Sequence, residues 1–224
     1  MKINRRHYLP LLMLVPMMMA NSPAPYVRTN EYQDFSYTFI SKTPIDQYYE
    51  GQQYIEYTYE IKNNGSGYID YAYINYGNIF STMMSLNNDM FGRLILAPNS
   101  TSTYKFITIT DIDVDNVNER IRCYAYTDFV ENAFISDKKD VRVDNTDYPY
   151  NRYYIDYESD YKRDNNYLYG IIIDFTYDGV DYSIHDESWR YSENTYSVFL
   201  YQGEDLDLNK LTINKLTMTY SKRQ

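Results

Sequence analysis

Hydrophobic and polar residues alternate along much of this chain, with the period of two that is typical of β-strands. The clearest example is residues 54–62, where apolar side chains fall on one side and charged or hydroxyl side chains on the other. The apolar side consists of Ile55, Tyr57, Tyr59 and Ile61. The pattern predicts a strand with one buried face, so we expect Tyr57 and Tyr59 to lie in a hydrophobic core.

The same alternation, interrupted by glycine, proline and asparagine, predicts further strands. In the first part of the chain they fall at 34–40, 68–76, 92–97, 102–110, 120–128 and 138–144. In the second part they fall at 152–158, 167–176, 180–184, 195–202 and 211–220. Asp178-Gly179 is typical of a two-residue hairpin turn. Residues 185–194 are mostly polar and contain the only tryptophan, and they are predicted to form a loop.

This spacing of strands predicts an all-β protein made of two units. The strands of the first part predict an Ig-like antiparallel β-sandwich over residues 30–145. The remaining strands predict a second, smaller β domain over residues 150–224, with a linker before Pro149. In the alternative arrangement the later strands extend the first sandwich into one larger unit.

Three segments resemble the Ig-like domains of bacterial extracellular proteins. They are YTYEIKNNGSGYI at 57–69, RLILAPNSTSTYKFITI at 93–109 and RIRCYAYTD at 120–128. In those domains a strand ends at an N-x-G turn, and a later L-x-P-x-S segment leads into the next strand. The resemblance is confined to residues 30–145 and lacks the paired cysteines of antibody domains. It implies a spacer, adhesion or ligand-binding role without transferable catalytic residues.

The N-terminus has the features of an export signal. Basic residues at Lys2, Arg5 and Arg6 precede an apolar run at 8–20. We therefore predict that residues 1–20 are a signal peptide and that the mature chain is secreted, extracellular or in the cell envelope. The alternatives are an uncleaved N-terminal anchor and a segment buried in a complex. No later run is long and apolar enough to span a membrane, so no span is expected in the mature chain.

Composition narrows the class of partner. The chain has 30 tyrosines among 224 residues and a formal net charge of −10. Loss of the basic signal peptide makes the charge more negative. Nucleic-acid binding requires clustered lysine and arginine, so this acidity argues against it. We expect an extracellular glycan or protein as the partner.

The chain has few of the residues and motifs that enzymes commonly use for catalysis. Outside residues 1–20 it contains one cysteine, Cys123, and one histidine, His185, which are too few for a zinc site of the usual kind. No nucleophile elbow or phosphate-binding loop is present, so no catalytic residue and no cofactor is assigned. Because the chain has 31 acidic residues, the alternative function is a carboxylate-dependent secreted enzyme such as a glycoside hydrolase.

One acidic segment is a candidate calcium site. Its alternating carboxylates are oxygen ligands of the kind that calcium prefers. The candidate ligands are Asp111, Asp113, Asp115 and Glu119. The segment resembles the opening of an EF-hand loop but has Asn116 at the glycine position and Arg122 at the position of the bidentate glutamate. The favoured interpretation is a loop of solvated carboxylates, and calcium binding is the alternative.

Tyrosines on two strands predict a binding face. If Ile121 and Cys123 face the core, the residues that alternate with them along the strand point outward. The same reasoning applies to strand 68–76. The outward set is Tyr71, Tyr73, Tyr124 and Tyr126, with Trp189 as a further anchor. We expect neighbouring strands, so that the four rings form one ligand-binding patch. The alternatives are cross-strand pairing that only stabilises the sheet and a face covered by the second domain.

Overall fold

A computed structural model shows that the described chain is built from antiparallel β-strands. It describes residues 27–49, 51–76, 79–80, 86–88, 91–108, 121–131, 135–136, 139–144, 150–161, 164, 166–190, 195–203 and 205–222. The only helical turn in this part of the chain is a short 3-10 turn at Leu208–Lys210. The all-β prediction is therefore confirmed, whereas the predicted signal peptide lies outside the described residues.

Nine strands form the first part of the fold. They are β1 (Asn30–Tyr32), β2 (Phe35–Tyr49), β3 (Gln52–Asn63), β4 (Tyr68–Tyr76), β5 (Ile79–Phe80), β6 (Leu86–Asn88), β7 (Gly92–Leu94), β8 (Thr101–Thr108) and β9 (Ile121–Tyr126). One sheet has the order β2-β3-β8 and another the order β1-β9-β4-β5, while β6 pairs with β7.

The two larger sheets pack against each other around one hydrophobic core. Tyr57 and Tyr59 of β3 are 0% and 1% exposed, which confirms that tyrosines fill space in this core. From the facing sheet, Ala72, Cys123 and Ala125 belong to the same cluster. The alternation read from the sequence therefore identifies the core side of β3, β4 and β9 correctly.

Strand β2 is longer than the sequence predicts. It continues past residue 40 and through Pro44 to Tyr49, with irregularities at Phe39/Ser41 and at Pro44/Tyr48. Proline lacks the backbone donor of an internal strand, but an outermost strand with a bulge tolerates it. For this reason Pro44 does not end the strand.

Six strands form the second part of the fold. They are β10 (Lys139–Asp144), β11 (Asn151–Glu158), β12 (Tyr167–Tyr177), β13 (Val180–Arg190), β14 (Thr195–Gly203) and β15 (Leu211–Lys222), in the sheet order β10-β11-β14-β13-β12-β15. The hairpin predicted at Asp178-Gly179 is present, and the φ angles of 51° and 81° are positive, as a type I′ turn requires.

The predicted loop at 185–194 is wrong for residues 185–190, which continue β13. Residues 180–187 pair with β12, and residues 188–190 pair with β14. Backbone pairing first with β12 and then with β14 therefore stabilises residues 185–190, although most of their side chains are polar. Strands β11 and β14 share one hydrophobic cluster with β12 and β15, so the sheet folds over onto itself and β13 passes between its two halves.

The first and second parts of the chain meet along a contact that we call the seam. Its apolar centre contains Val27, Tyr68, Ile95 and Tyr126 from the first part and Ile172 from the second. Backbone hydrogen bonds lie on either side of this centre. The Ile95 N–H donates to the Ser183 carbonyl at 2.9 Å, and the Val130 N–H donates to the Met218 carbonyl at 2.9 Å. The seam covers one end of the outer face of β4 and β9.

Candidate functional site

The predicted tyrosine face lies on two paired strands. Strands β4 and β9 are antiparallel neighbours, with Tyr71 opposite Tyr124 and Tyr73 opposite Arg122. A register shift between Ile69 and Tyr71 inserts Asp70, which is buried. Beyond this bulge the tyrosines lie on the side of β4 and β9 that faces away from the core.

Three tyrosines form a continuous stack on this face. The Tyr71 and Tyr124 ring centroids are 4.9 Å apart with planes 10° from parallel, and those of Tyr73 and Tyr124 are 5.9 Å apart at 22°. All three side chains are half-buried. We call Tyr71, Tyr124 and Tyr73 the tyrosine stack. Tyr124 is the middle ring, because both Tyr71 and Tyr73 stack on it.

The hydroxyl groups of Tyr124 and Tyr73 share a hydrogen bond. A hydrogen bond to the Tyr73 hydroxyl, together with burial, raises the pKa of Tyr124 to about 12. A raised pKa is expected for a phenol that donates this bond, because ionisation would remove the donor. Beside the stack, Arg122 and Glu31 form an ion pair at 3.5 Å, and each side chain is 43% exposed. The surface therefore places an exposed cation and anion beside the aromatic rings.

Tyr126 does not join the stack. It is 7% exposed and lies in the seam, where its ring stacks on the His185 imidazole with centroids 3.8 Å apart and planes 19° from parallel. His185 Nε2 shares a hydrogen bond of 2.9 Å with Thr219 Oγ1. The predicted patch of four rings is therefore reduced to three, because the second part of the chain covers the fourth.

Gly170 provides the space for this contact. A Cβ atom at this position would lie 2.4 Å from His185 Nε2 and 3.1 Å from Thr219 Oγ1. A strand glycine often marks such a close approach. Tyr68, the cross-strand neighbour of Tyr126, is also held in the seam, since its hydroxyl donates to Asp174 Oδ2 at 2.8 Å.

The remaining predicted site residues are not brought to the stack by the described part of the chain. The backbone of Trp189 lies in β13 opposite Ser197, and its side chain is outside the described atoms, so its role stays a prediction. The candidate calcium ligands Asp111, Asp113, Asp115 and Glu119 lie outside the described residues. Within the described residues, no group of three or more His, Cys, Asp or Glu side chains is placed to hold a metal ion.

Cys123 is unsuited to nucleophilic chemistry. Its side chain is 0% exposed in the first core, and burial raises the pKa of its thiol to about 12. A reactive cysteine requires an accessible thiolate. The thiol therefore acts as a small apolar group.

A polar cluster on the second part of the chain was missed by the sequence analysis. Arg142 Nε donates to Asp156 Oδ2 at 2.9 Å, and the Arg142 guanidinium lies 4.6 Å from the centre of the Tyr154 ring. The Ser197 hydroxyl donates to the same Asp156 carboxylate. These residues come from three different strands, so only knowledge of the pairing of β10, β11 and β14 could have brought them together.

Two carboxyl groups on β13 have perturbed ionisation. Burial raises the pKa of Asp186, and burial followed by the nearby Asp186 charge raises the pKa of Glu187. Neighbouring residues of an extended strand point to opposite faces of the sheet. Asp186 and Glu187 therefore do not converge on one substrate.

Comparison with known proteins adds no assignment. No protein-family model, no curated protein and no solved structure matches the chain. Among the described residues, no helix has the length and apolar character needed to cross a membrane.

Proposed function

We propose that this protein is an exported, non-catalytic binding module and that the tyrosine stack contacts an envelope glycan or a protein. The observation that carries the proposal is the half-buried stack of Tyr71, Tyr124 and Tyr73 on a sheet face away from the core. Aromatic side chains with hydroxyls combine a rigid apolar surface with hydrogen-bonding groups, which is why tyrosine is common in binding surfaces.

The strand order supports the Ig-like resemblance within this proposal. The sheet β2-β3-β8 has the order of strands A, B and E of an Ig-like sandwich, and the adjacent pair β4-β9 has that of strands C and F. In the position where strand G would pair with F, this chain has the short strand β1, while β10 pairs with β11. Ig-like modules commonly serve in adhesion and ligand binding, which agrees with the proposed role.

The carboxylate-dependent enzyme is the weaker alternative. A glycosidase requires two carboxyl groups that flank one bond, about 5–10 Å apart. Among the described residues, the carboxyl groups with a raised pKa are Asp186 and Glu187, which are adjacent on one strand and point to opposite faces. Asp186 and Glu187 therefore cannot flank one glycosidic bond.

The test is substitution of the three stack tyrosines by serine in one variant. Binding should be measured on a glycan array and by pull-down, with circular dichroism to verify the fold. We expect the variant to lose the binding shown by the native chain. The matched control is Tyr154→Ser, a half-buried tyrosine on another sheet, which should retain binding. Unchanged binding in the folded triple variant would reject the proposal.

A further inference from the structure

Tyr71 and Tyr124 are placed for a covalent bond between their rings. They lie directly opposite each other on the paired strands β4 and β9. Their ring centroids are 4.9 Å apart and their planes are 10° from parallel, as in an offset stack. Oxidised tyrosine rings join through the carbon beside the hydroxyl, and the first bond forms between overlapping π faces. This arrangement is therefore a suitable starting geometry for a tyrosine–tyrosine cross-link.

A second stacked pair shows the effect of burial. Tyr157 of β11 and Tyr196 of β14 are also directly opposite each other, with ring centroids 5.8 Å apart and planes 22° from parallel. These two rings are 1% and 8% exposed in the second core, whereas Tyr71 and Tyr124 are half-buried on an outer sheet face. Oxidation of a phenol is accompanied by loss of its proton, and a charge released in a dry core is costly. The outer pair therefore loses its protons more easily than the core pair.

Ring angle and distance separate this pair from other half-buried tyrosines. On the second part of the chain the angles between ring planes are 67°, 55° and 82°, for the pairs Tyr161 and Tyr169, Tyr167 and Tyr169, and Tyr167 and Tyr220. At such steep angles the π faces overlap poorly. Tyr73 is closer to parallel with Tyr124, but its centroid is 5.9 Å away and it lies opposite Arg122 in the strand pairing. Tyr71 is therefore the favoured partner of Tyr124.

We propose that a haem peroxidase with hydrogen peroxide joins Tyr71 and Tyr124 by a carbon–carbon bond between their rings. Each phenol loses one electron and one proton, and the two phenoxyl radicals combine at the ring carbons beside the hydroxyls. The hydrogen on each of these carbons then moves to the phenolic oxygen, which restores both phenols. The peroxide gains the two electrons and two protons and leaves as two molecules of water. This modification does not depend on whether the tyrosine stack binds a ligand.

The cross-link gives this chain the kind of constraint that a disulfide supplies in other proteins. The sequence contains one cysteine, so no disulfide can form within it. A bond between residues 71 and 124 closes a loop from β4 to β9 and lowers the entropy of the unfolded chain. We therefore expect the cross-linked chain to unfold at a higher urea concentration than the untreated chain.

The test is treatment of the dilute chain with a haem peroxidase and hydrogen peroxide, followed by mass spectrometry of the whole chain and of its peptides. We expect a monomer on a denaturing gel, lighter by two hydrogen atoms, whose linked peptides contain Tyr71 and Tyr124. The matched variants are Tyr71→Phe and Tyr73→Phe, since each removes one hydroxyl from a ring that stacks on Tyr124. Tyr71→Phe should lose the cross-link, and Tyr73→Phe should retain it.

Several results would overturn the proposal. They are a treated native chain without linked peptides, links only between separate molecules, and equal yields of cross-link in the two variants. A link from Tyr124 to Tyr73, or an equally abundant link between Tyr157 and Tyr196, would also reject it. Phenylalanine keeps the aromatic ring, so both variants should fold, which circular dichroism verifies. If one does not fold, peptide mapping of the native chain still decides, because it identifies the linked residues without any variant.

Discussion

Two neighbouring rows of tyrosines lie on the same face of one sheet, but they differ in burial. In one row, the covered row, Tyr68 and Tyr126 pair across β4 and β9. They are 6% and 7% exposed, because the seam covers them. In the next row, the open row, Tyr71 and Tyr124 are half-buried and stack with each other, and Tyr124 also stacks with Tyr73. The comparison shows that the same residue on the same side of a strand serves as interior packing or as surface, depending on what lies above it.

The covered row also differs in the chemistry of its contacts. Tyr126 meets an imidazole and Tyr68 meets a carboxylate, both from the second part of the chain. The open row has tyrosine against tyrosine. Contacts with the second part of the chain therefore bury the covered row, whereas the side chains of the open row remain partly exposed.

The largest expected effect separates the two rows directly. Tyr126→Ala should lower the free energy of unfolding by about 3–5 kcal/mol, because it leaves a cavity under His185. Tyr124→Ala should cost less, about 1 kcal/mol, because its side chain is only partly buried and, in the described part of the chain, no sheet packs over it as the seam packs over Tyr126. Urea unfolding of both variants measures the difference. Equal losses would mean that the two rows do not differ in burial energy.

A smaller effect is expected from the space at Gly170. Gly170→Ala should lower the free energy of unfolding by about 1–3 kcal/mol, because the new methyl group overlaps the His185 ring. The same substitution in a His185→Ala background should cost much less, since the obstructing ring is gone. A double-mutant cycle in urea gives the coupling between the two sites. A coupling near zero would show that the glycine serves another purpose.

A half-buried acidic group on β13, Glu187, should make stability depend on pH. Burial raises the pKa of Glu187 above its value in the unfolded chain, and its Oε1 atom has no hydrogen-bond partner among the described residues. The native free energy of unfolding should therefore be highest below the unfolded pKa and should fall as pH rises through the folded value. Glu187→Gln should flatten this slope and be more stable than the native chain at pH 7. An unchanged slope would exclude Glu187 as its source.

The smallest effect concerns the open row. Tyr73→Phe removes the acceptor that raises the pKa of Tyr124, so this pKa should fall from about 12 toward the ordinary value for tyrosine. Stability should change by less than about 1 kcal/mol, because a single hydrogen bond between two half-buried side chains is lost. NMR titration of tyrosine labelled at the ring carbon that bears the hydroxyl measures the change. A pKa that stays near 12 would assign the shift to burial.

The alternation of residues predicts which side of a strand faces the core, and it does so correctly for Tyr57, Tyr59 and Cys123. This succeeds because side-chain direction in a strand is a local property of the backbone. The sequence cannot show that Tyr126 is covered, since its cover comes from His185, many residues later in the chain. Burial of an outward-facing side chain depends on which other sheet packs against it, and no local sequence pattern contains that information.

The polar segment 185–190 illustrates a second limit. Its composition favours a loop, yet it continues β13, because backbone groups pair with β12 and then with β14. Strand pairing uses main-chain groups that every residue except proline supplies in full. A sequence without hydrophobic alternation can therefore still form a strand when neighbours are present on both sides.

The reactivity of the buried Cys123 thiol can be used to measure opening of the first core. The sulfur lies in the core between the two sheets of the first part, and burial suppresses its ionisation. An aromatic disulfide reagent in solution can react with it only after those sheets separate. The rate of thiol modification under native conditions therefore measures how often the first core opens, without any introduced probe.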